Sequence, residues 1–304
     1  MKDATSTVPA RDSIKLPPLE RTMFEPRSMI SALLSTITWV ASVLACIPLF
    51  SVLIMLLYRG GSRLRLEVFT SLPPTAFEIG GGFGNAIIGT LLMVGIGALI
   101  SVPLGIFSAV FLSELNPASR ISEVARFCAK TLTGLPSILA GVFAYAAVVL
   151  VTGSYSAPAG GIALSLLMIP TVVLTAEEAM KMVPKRMKEA AIGMGCTPTQ
   201  VIWKVVFPTA MPGMITGVML AVARAAGETA PLLFTALFSD YWLFQGGELA
   251  LMEPTASLAV LIYNFSGMPF ENQIELAWVA SLVLVLMVLV INILSRLIGQ
   301  KRVA

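Results

Sequence analysis

The chain contains no histidine and only three cysteines among its 304 residues. Histidine is the commonest metal ligand and the side chain best suited to acid–base catalysis near neutral pH. Its absence argues against a metal centre and against most acid–base enzymes. The cysteines, Cys46, Cys128 and Cys196, lack metal-ligand spacing and are interpreted as unpaired thiols.

Charged residues are also scarce, because they make up 12% of the chain, whereas hydrophobic residues make up 57%. The mean hydropathy is +0.88. A soluble domain of this length needs a more polar surface, so the composition predicts an all-α, polytopic membrane protein. The net charge of +3 is small and gives no indication of nucleic-acid binding.

Long uncharged stretches recur along the chain, and a helix needs about 20 mainly apolar residues to cross a bilayer. The stretch 131–176 is long enough for two crossings, with the turn-forming residues GSYSAPAGG at 153–161 between them. Six transmembrane helices are therefore predicted. They lie within residues 28–58, 85–113, 131–176 (two helices), 212–238 and 276–295.

The basic residues indicate the orientation of these helices. An even number of crossings places both chain ends on one side, and sixteen Lys and Arg residues fall on that side. Only Arg59, Arg63 and Arg65 fall on the other side. Because cytoplasmic loops carry an excess of Lys and Arg, both termini are predicted to be cytoplasmic.

The same assignments define the domain organisation. A polar cytoplasmic tail at 1–28 precedes a six-helix transmembrane domain at 29–298, and a short cytoplasmic tail follows at 299–304. The loop 181–211 is predicted to be cytoplasmic. The loop 239–274 is predicted to be extracytoplasmic; it has four acidic residues and no Lys or Arg.

The cytoplasmic loop has the pattern of two short helices. Good helix formers precede Gly195, which breaks the first helix, and Thr197 with Pro198 is typical of a cap and first turn. The second helix is expected to end at Phe207–Pro208. Small residues at Ala190, Ala191 and Gly195 would let a partner's backbone approach closely. An alternative is an amphipathic hairpin on the lipid surface, which five basic residues would suit.

Arg224 is the one basic residue inside an apolar span, roughly 20 Å along the fifth helix from Met211. Glu228 follows one turn later, and Pro231 is expected to kink the helix beyond it. Burying either charge in lipid costs at least about 2.5 kcal/mol, so both should face protein or water. Either they form an internal ion pair that fixes the fifth span, or Arg224 faces a passage and binds an oxyanion while Glu228 holds it.

Hydroxyl groups near proline or glycine breaks offer neutral donors along such a passage. Ser137, Thr171 and Thr175 are the candidates, together with Thr133. The alternative is that these hydroxyls bond their own helix backbone, as they commonly do. Glu177 and Glu178 are expected at the cytoplasmic end of the fourth span, in a solvated or coupling role.

The loop also carries a spaced motif. Glu189, Ala190 and Ala191 are followed by Gly195, and then by Val205, Phe207 and Pro208. This spacing resembles the loop by which the membrane subunits of bacterial ABC importers contact their ATPases, with Val205 for the usual Ile and Phe207 for the usual Leu. The resemblance implies coupling to an ATPase through Glu189, Ala190, Ala191, Gly195, Thr197 and Pro208.

Further segments make the resemblance more specific. They are TGLPSIL at 133–139, IPTVVLTAEEAMKMVP at 169–184 and RAAGETAPLL at 224–233. Together they resemble the PstA-type permeases of phosphate-specific ABC importers, which implies the MetI-like type I permease fold. A PstC-type sister permease, or a permease for another oxyanion, is the alternative. A secondary transporter is a different class and would need inverted repeats and more acidic groups at mid-membrane.

This resemblance implies a location and a set of partners. The chain would lie in the bacterial inner membrane and form half of a path for inorganic phosphate beside a PstC-type permease. A PstB-type ATPase dimer would bind ATP and magnesium, and a PstS-type binding protein would deliver phosphate. The chain itself would hold no cofactor, bind no nucleic acid and catalyse no covalent step.

Overall fold

The computed structural model describes residues 26–245 and 247–300, so the predicted tails lie mostly outside the described residues. Within that part of the chain the backbone is almost entirely helical. The helices are α1 (Pro26–Met55), α2 (Glu67–Thr70), α3 (Gly84–Val110), α4 (Arg120–Thr133), α5 (Ser137–Ala144), α6 (Leu150–Thr152), α7 (Ala157–Lys181), α8 (Lys185–Gly193), α9 (Pro198–Val201), α10 (Phe207–Ala226), α11 (Ala230–Thr235), α12 (Leu258–Ser266) and α13 (Glu271–Gln300).

Single π-helical turns continue four of these helices without a break. They cover Leu56–Gly60, Phe111–Leu115, Tyr145–Val149 and Ile202–Val206. Two short strands, β1 (Phe244–Gln245) and β2 (Glu248–Leu249), form an antiparallel hairpin in the predicted outer loop.

Five of the resulting helices are long and apolar enough to cross a membrane. A sixth crossing is present if Arg120–Thr133 and Ser137–Thr152, which meet at a bend of 104°, count as one span. With that bent pair counted as one span, the prediction of six apolar spans is confirmed. The segment Ser137–Thr152 is about 24 Å long at 1.5 Å per residue, which is shorter than a hydrocarbon core of about 30 Å.

The chain divides into two compact units, residues 1–54 and 55–304. The first unit contains almost all of α1, whose large apolar side chains from Met29 to Ile54 are exposed. An all-round apolar helix of this length is built to lie in lipid or against other membrane helices.

In the second unit, α3 and α7 pack closely because small residues line their contact. A Cβ built on Gly97 would lie 3.2 Å from the Gly161 carbonyl oxygen, and one on Gly105 would lie 2.6 Å from Val172 Cγ1. Small residues at such contacts are the usual means by which membrane helices approach. The buried residues Met93, Leu164, Met168, Ala221 and Ala225 surround this contact.

A second buried cluster joins the start of α3 to α12 and α13, with Phe83, Leu258 and Val279 fully buried. Thr90 fixes the register of this contact, because its hydroxyl accepts a hydrogen bond from Leu258 N–H at 2.9 Å and donates to the Ala86 carbonyl at 2.8 Å.

Two short helical segments from different spans support each other. Gly141 in α5 lies against α11, where a Cβ on this glycine would stand 2.6 Å from Pro231 Cα. Only a residue without a side chain fits at this distance. The shortest spanning segment is therefore held by a glycine contact with a helix formed much later in the chain.

The fifth span differs from its predicted bounds at both ends. One helix runs unbroken over Pro198–Ala226, so the predicted end at Phe207–Pro208 is wrong. A π-helical turn covers Ile202–Val206 just before Pro208, and Phe207 N–H donates to the Ile202 carbonyl at its end. At the other end, the helix stops at Ala226 before Gly227. The predicted kink at Pro231 is also wrong, because this proline lies in the first turn of the separate helix α11.

Candidate functional site

The loop after α7 folds into a compact knob made of α8 and the first turns of the helix that begins at Pro198. Gly195 between them has φ +88°, a left-handed conformation that favours glycine. The predicted cap at Thr197 is confirmed: its hydroxyl accepts from Gln200 N–H at 3.4 Å, and its own N–H donates to Gln200 Oε1 at 3.0 Å. This capping box fixes the start of the second helix.

Within the knob, the motif residues divide between two faces. Glu189, Ala190, Gly195, Thr197 and Pro208 are exposed. Ala191 is not, because only 2% of it is accessible and it packs against buried residues of the chain's own interior. Its cluster includes Met180, Val201, Ile202 and Val206. The expectation that Ala191 meets a partner's backbone is therefore wrong: its small size serves packing inside the chain.

The exposed surface of the knob carries apolar side chains together with the Glu189 carboxylate and the basic residues Lys185, Arg186 and Lys204. Ile192, Met194 and Trp203 are exposed there, and Met194 is 80% accessible. Glu189 and Ala190 lie on the same short helix. Exposed apolar residues mixed with charged ones are typical of a protein interface.

Ala191 is buried and its neighbour Ala190 is exposed, so the same substitution at the two positions should have different effects on stability. Ala191→Leu adds three carbons to a packed cluster and should destabilise the knob by about 1–3 kcal/mol. Ala190→Leu makes the same chemical change on the exposed face and should leave stability within about 0.5 kcal/mol. Thermal denaturation of the two purified variants against wild type measures the difference. Equal melting temperatures for both would contradict the packing described for Ala191.

Arg224 lies in the last turn of α10 and is exposed, whereas Ala221, Val222 and Ala225 of the same helix are buried. Its Nε stands 3.4 Å from Glu228 Oε1. The arginine side chain is 44% accessible and the glutamate side chain 15%. Among the described residues, Glu228 is the only partner of this guanidinium, and it lies four residues away in the same segment. The pair therefore does not tie α10 to another helix.

The predicted hydroxyl groups differ in what they can offer a ligand. Thr175 donates to the Thr171 carbonyl at 2.7 Å and packs against α10 where Gly217 leaves room for it. Thr133 likewise donates to the Ala129 carbonyl at 2.9 Å. Thr171 and Ser137 are half-buried, and their hydroxyls bond to no other described residue.

A network of ion pairs at the knob end of the bundle was missed by sequence reasoning. Glu177, expected in a solvated or coupling role, is buried and accepts from Arg126 Nε at 2.6 Å and from Lys181 Nζ at 2.6 Å. Lys188 of the knob pairs with Glu114 at 2.6 Å. Glu178, the neighbour of Glu177, is exposed. The one local signal was the spacing of Glu177 and Lys181, four residues apart on a helix.

Comparison with known proteins identifies relatives over almost the whole chain. Residues 101–303 match the family described as binding-protein-dependent transport system inner membrane component. The phosphate transport system permease protein PstA of Pasteurella multocida is 37% identical over 93% of this chain and 99% of its own length. The PstA protein of Yersinia pestis is 39% identical over 80% of this chain and 81% of its own length.

A more distant relative and two solved structures extend this similarity. A probable phosphate transport system permease PstA of Methanocaldococcus jannaschii is 36% identical over 82% of this chain and 86% of its own length. An inward-facing structure of the MetNI methionine ABC transporter has a TM-score of 0.56 at 19% identity, covering 72% of this chain and 93% of its own. A bacterial ABC transporter for alginate import has a TM-score of 0.58 at 14% identity, covering 90% and 95%. At such identities these two structures support the fold alone.

Proposed function

Because this chain belongs to the binding-protein-dependent transport system inner membrane components, and within them to the PstA permeases, we propose that it is a transmembrane subunit of an ATP-driven phosphate importer. The observation that carries the proposal is a half-exposed guanidinium at the end of a membrane helix that runs unbroken from the knob. This helix links Arg224, whose guanidinium is suited to binding an oxyanion, to the knob, whose surface is suited to binding a partner protein.

The proposed orientation places the knob and both chain ends in the cytoplasm. The excess of Lys and Arg on that side supports it. The chain then lies in the bacterial inner membrane, with the hairpin of β1 and β2 and the helix α12 on the outer side, where a PstS-type binding protein would release phosphate.

The proposed partner of the knob is a PstB-type ATPase dimer, and a PstC-type permease completes the path. Glu189, Ala190, Gly195, Thr197 and Pro208 are exposed and available for the ATPase. ATP and magnesium are bound by that ATPase, and this chain needs no cofactor of its own. Its contribution is to convert closure of the ATPase into movement of the membrane helices.

Arg224 is the proposed contact for phosphate in the path, because a guanidinium binds phosphate oxygens through two parallel N–H donors. Two features weaken the binding of phosphate by Arg224. The carboxylate of Glu228 lies beside it, and the carbonyl end of α10 has a partial negative charge. A transport path requires such moderate binding, since the anion must also leave. Thr171 and Ser137 remain proposed neutral donors, and Thr175, whose hydroxyl bonds its own backbone, a weaker one.

Reconstitution tests this function. The complete complex is placed in liposomes, with ATP on the ATPase side and the binding protein with labelled phosphate on the other. We expect phosphate to cross only with ATP, and excess unlabelled sulfate not to compete. Movement of sulfate instead of phosphate would assign the path to another oxyanion. Accumulation of phosphate by this chain alone, without nucleotide, would contradict an ATP-driven subunit.

A further inference from the structure

We propose that Glu177, with Arg126 and Lys181, and the pair Glu114–Lys188 form an ionic clamp that fastens the knob to the membrane helices and transmits its movement. The inference rests on the proposed function and adds to it the residues that convey force inside this chain. These are positioning residues, since none of them is proposed to touch phosphate.

The centre of the clamp is the carboxylate of Glu177 near the end of α7. Its side chain is 4% accessible, and a single oxygen, Oε1, accepts from both Arg126 and Lys181. A carboxylate this deeply buried is stable only while its partners remain in place. Any movement of α7 relative to α4, which carries Arg126, would therefore be opposed.

Arg126 extends the clamp to a third element. Its Nη2 donates to the Leu112 carbonyl at 2.7 Å and to the Pro117 carbonyl at 3.0 Å, while its Nε holds Glu177. Leu112 belongs to the π-helical turn that ends the second span. One guanidinium thus joins that span, the helix α4 before the 104° bend and the end of α7.

The knob is attached to the same place by a second ion pair. Lys188 in α8 contacts Glu114, two residues beyond Leu112 in the same π-helical turn, at 2.6 Å. Both side chains are mostly buried, at 22% and 10% accessibility. Movement imposed on α8 therefore reaches the end of the second span directly, as well as through the chain itself.

Apolar packing alone would hold this region less firmly. The shared cluster contains five alanines among larger apolar residues: Ala109, Ala176, Ala179, Ala191 and Ala210. Non-directional contacts between small residues tolerate sliding, whereas a buried ion pair loses its partner when one helix shifts. The clamp thus restricts the knob and the helix ends to moving together, as a coupling element must.

The test compares adjacent glutamates in the reconstituted complex, measuring phosphate moved and ATP hydrolysed in one assay. Glu177→Gln keeps the shape of the side chain and removes its charge. We expect assembly and ATP hydrolysis to persist while phosphate moved per ATP falls about tenfold. Glu178→Gln makes the same change at an exposed position, so its ratio should equal that of wild type.

The outcomes separate the clamp from the general function. An unchanged transport ratio in Glu177→Gln, or equal losses of transport and hydrolysis, would overturn the clamp while leaving wild-type transport intact. Failure of the wild-type complex to move phosphate would instead refute the proposed function.

The second pair permits a rescue experiment that guards against misfolding. Lys188→Glu places two carboxylates together and should lower the transport ratio. Adding Glu114→Lys restores opposite charges in reversed order and should recover most of it. Recovery of complex yield without recovery of the ratio would reduce this pair to a structural role and would also overturn the clamp.

Discussion

Arg224→Gln should abolish phosphate uptake while the complex still assembles. Glutamine retains one amide donor group in place of the paired guanidinium donors and carries no charge, so it loses the bidentate contact with phosphate. We expect a fall of about 100-fold or more, the scale observed when a preorganised donor to an oxyanion is removed. Because Arg224 is half-exposed and bonds only to its own segment among the described residues, the fold should tolerate the change. Uptake of labelled phosphate and co-purification of the subunits measure the two effects.

A double variant separates anion contact from charge pairing. Arg224→Gln also leaves the Glu228 carboxylate without its partner, and this unpaired charge is a second way for the variant to lower uptake. Arg224→Gln with Glu228→Gln removes both charges, and uptake should remain lost if the guanidinium contacts phosphate. Recovery in the double variant, or normal uptake in Arg224→Gln alone, would show that the arginine only neutralises its neighbour. Arg224→Lys, which keeps the charge without the planar fork, should retain partial uptake.

Gly89→Ala should give the largest loss of stability among single methyl additions to the described helices. Gly89 is buried in α3, and an added Cβ would overlap the Ala256 carbonyl oxygen and lie 2.8 Å from Thr255 Cγ2. A backbone carbonyl cannot rotate aside as a side chain can, so the loop before α12 must move. The neighbouring hydrogen bond from Leu258 N–H to Thr90 would be disturbed as well. We expect a destabilisation of about 3 kcal/mol, the upper end for overpacking.

Gly95 in the same helix provides the matched control. It is exposed, and a Cβ placed on it meets no atom within 4 Å. Gly95→Ala should therefore leave stability unchanged or raise it by up to about 1 kcal/mol through the better helix propensity of alanine. Melting temperature and the yield of folded complex in detergent compare the two variants. Similar behaviour of both would contradict the close approach at Gly89.

Features that depend only on local chemistry could be predicted from the sequence alone. Apolar length predicted the membrane spans, since the requirement of about 20 apolar residues is physical and needs no tertiary information. The cap at Thr197 followed from a hydroxyl residue placed directly before a proline. Arg224 stood out because a charge in an apolar stretch is costly and therefore rare.

Features that depend on distant parts of the chain could not be derived in this way. Arg126 and Glu177 are 51 residues apart, and only the packing of α4 on α7 brings them together. The burial of Ala191 depends on which face of α8 meets the bundle, and alanine is compatible with either face. The helix runs through Phe207–Pro208 with a π-helical turn just before the proline, and such turns have no simple sequence signature.

The contact between Gly141 and Pro231 has a consequence for biogenesis. Gly141 is synthesised 90 residues before Pro231, the proline against which it rests. At roughly 5–20 residues per second, translation separates the two events by about 5–18 s. During that interval a helix about 24 Å long must wait in a bilayer of about 30 Å without its later neighbour. The contact that holds this short segment can therefore form only after about three quarters of the polypeptide has been synthesised.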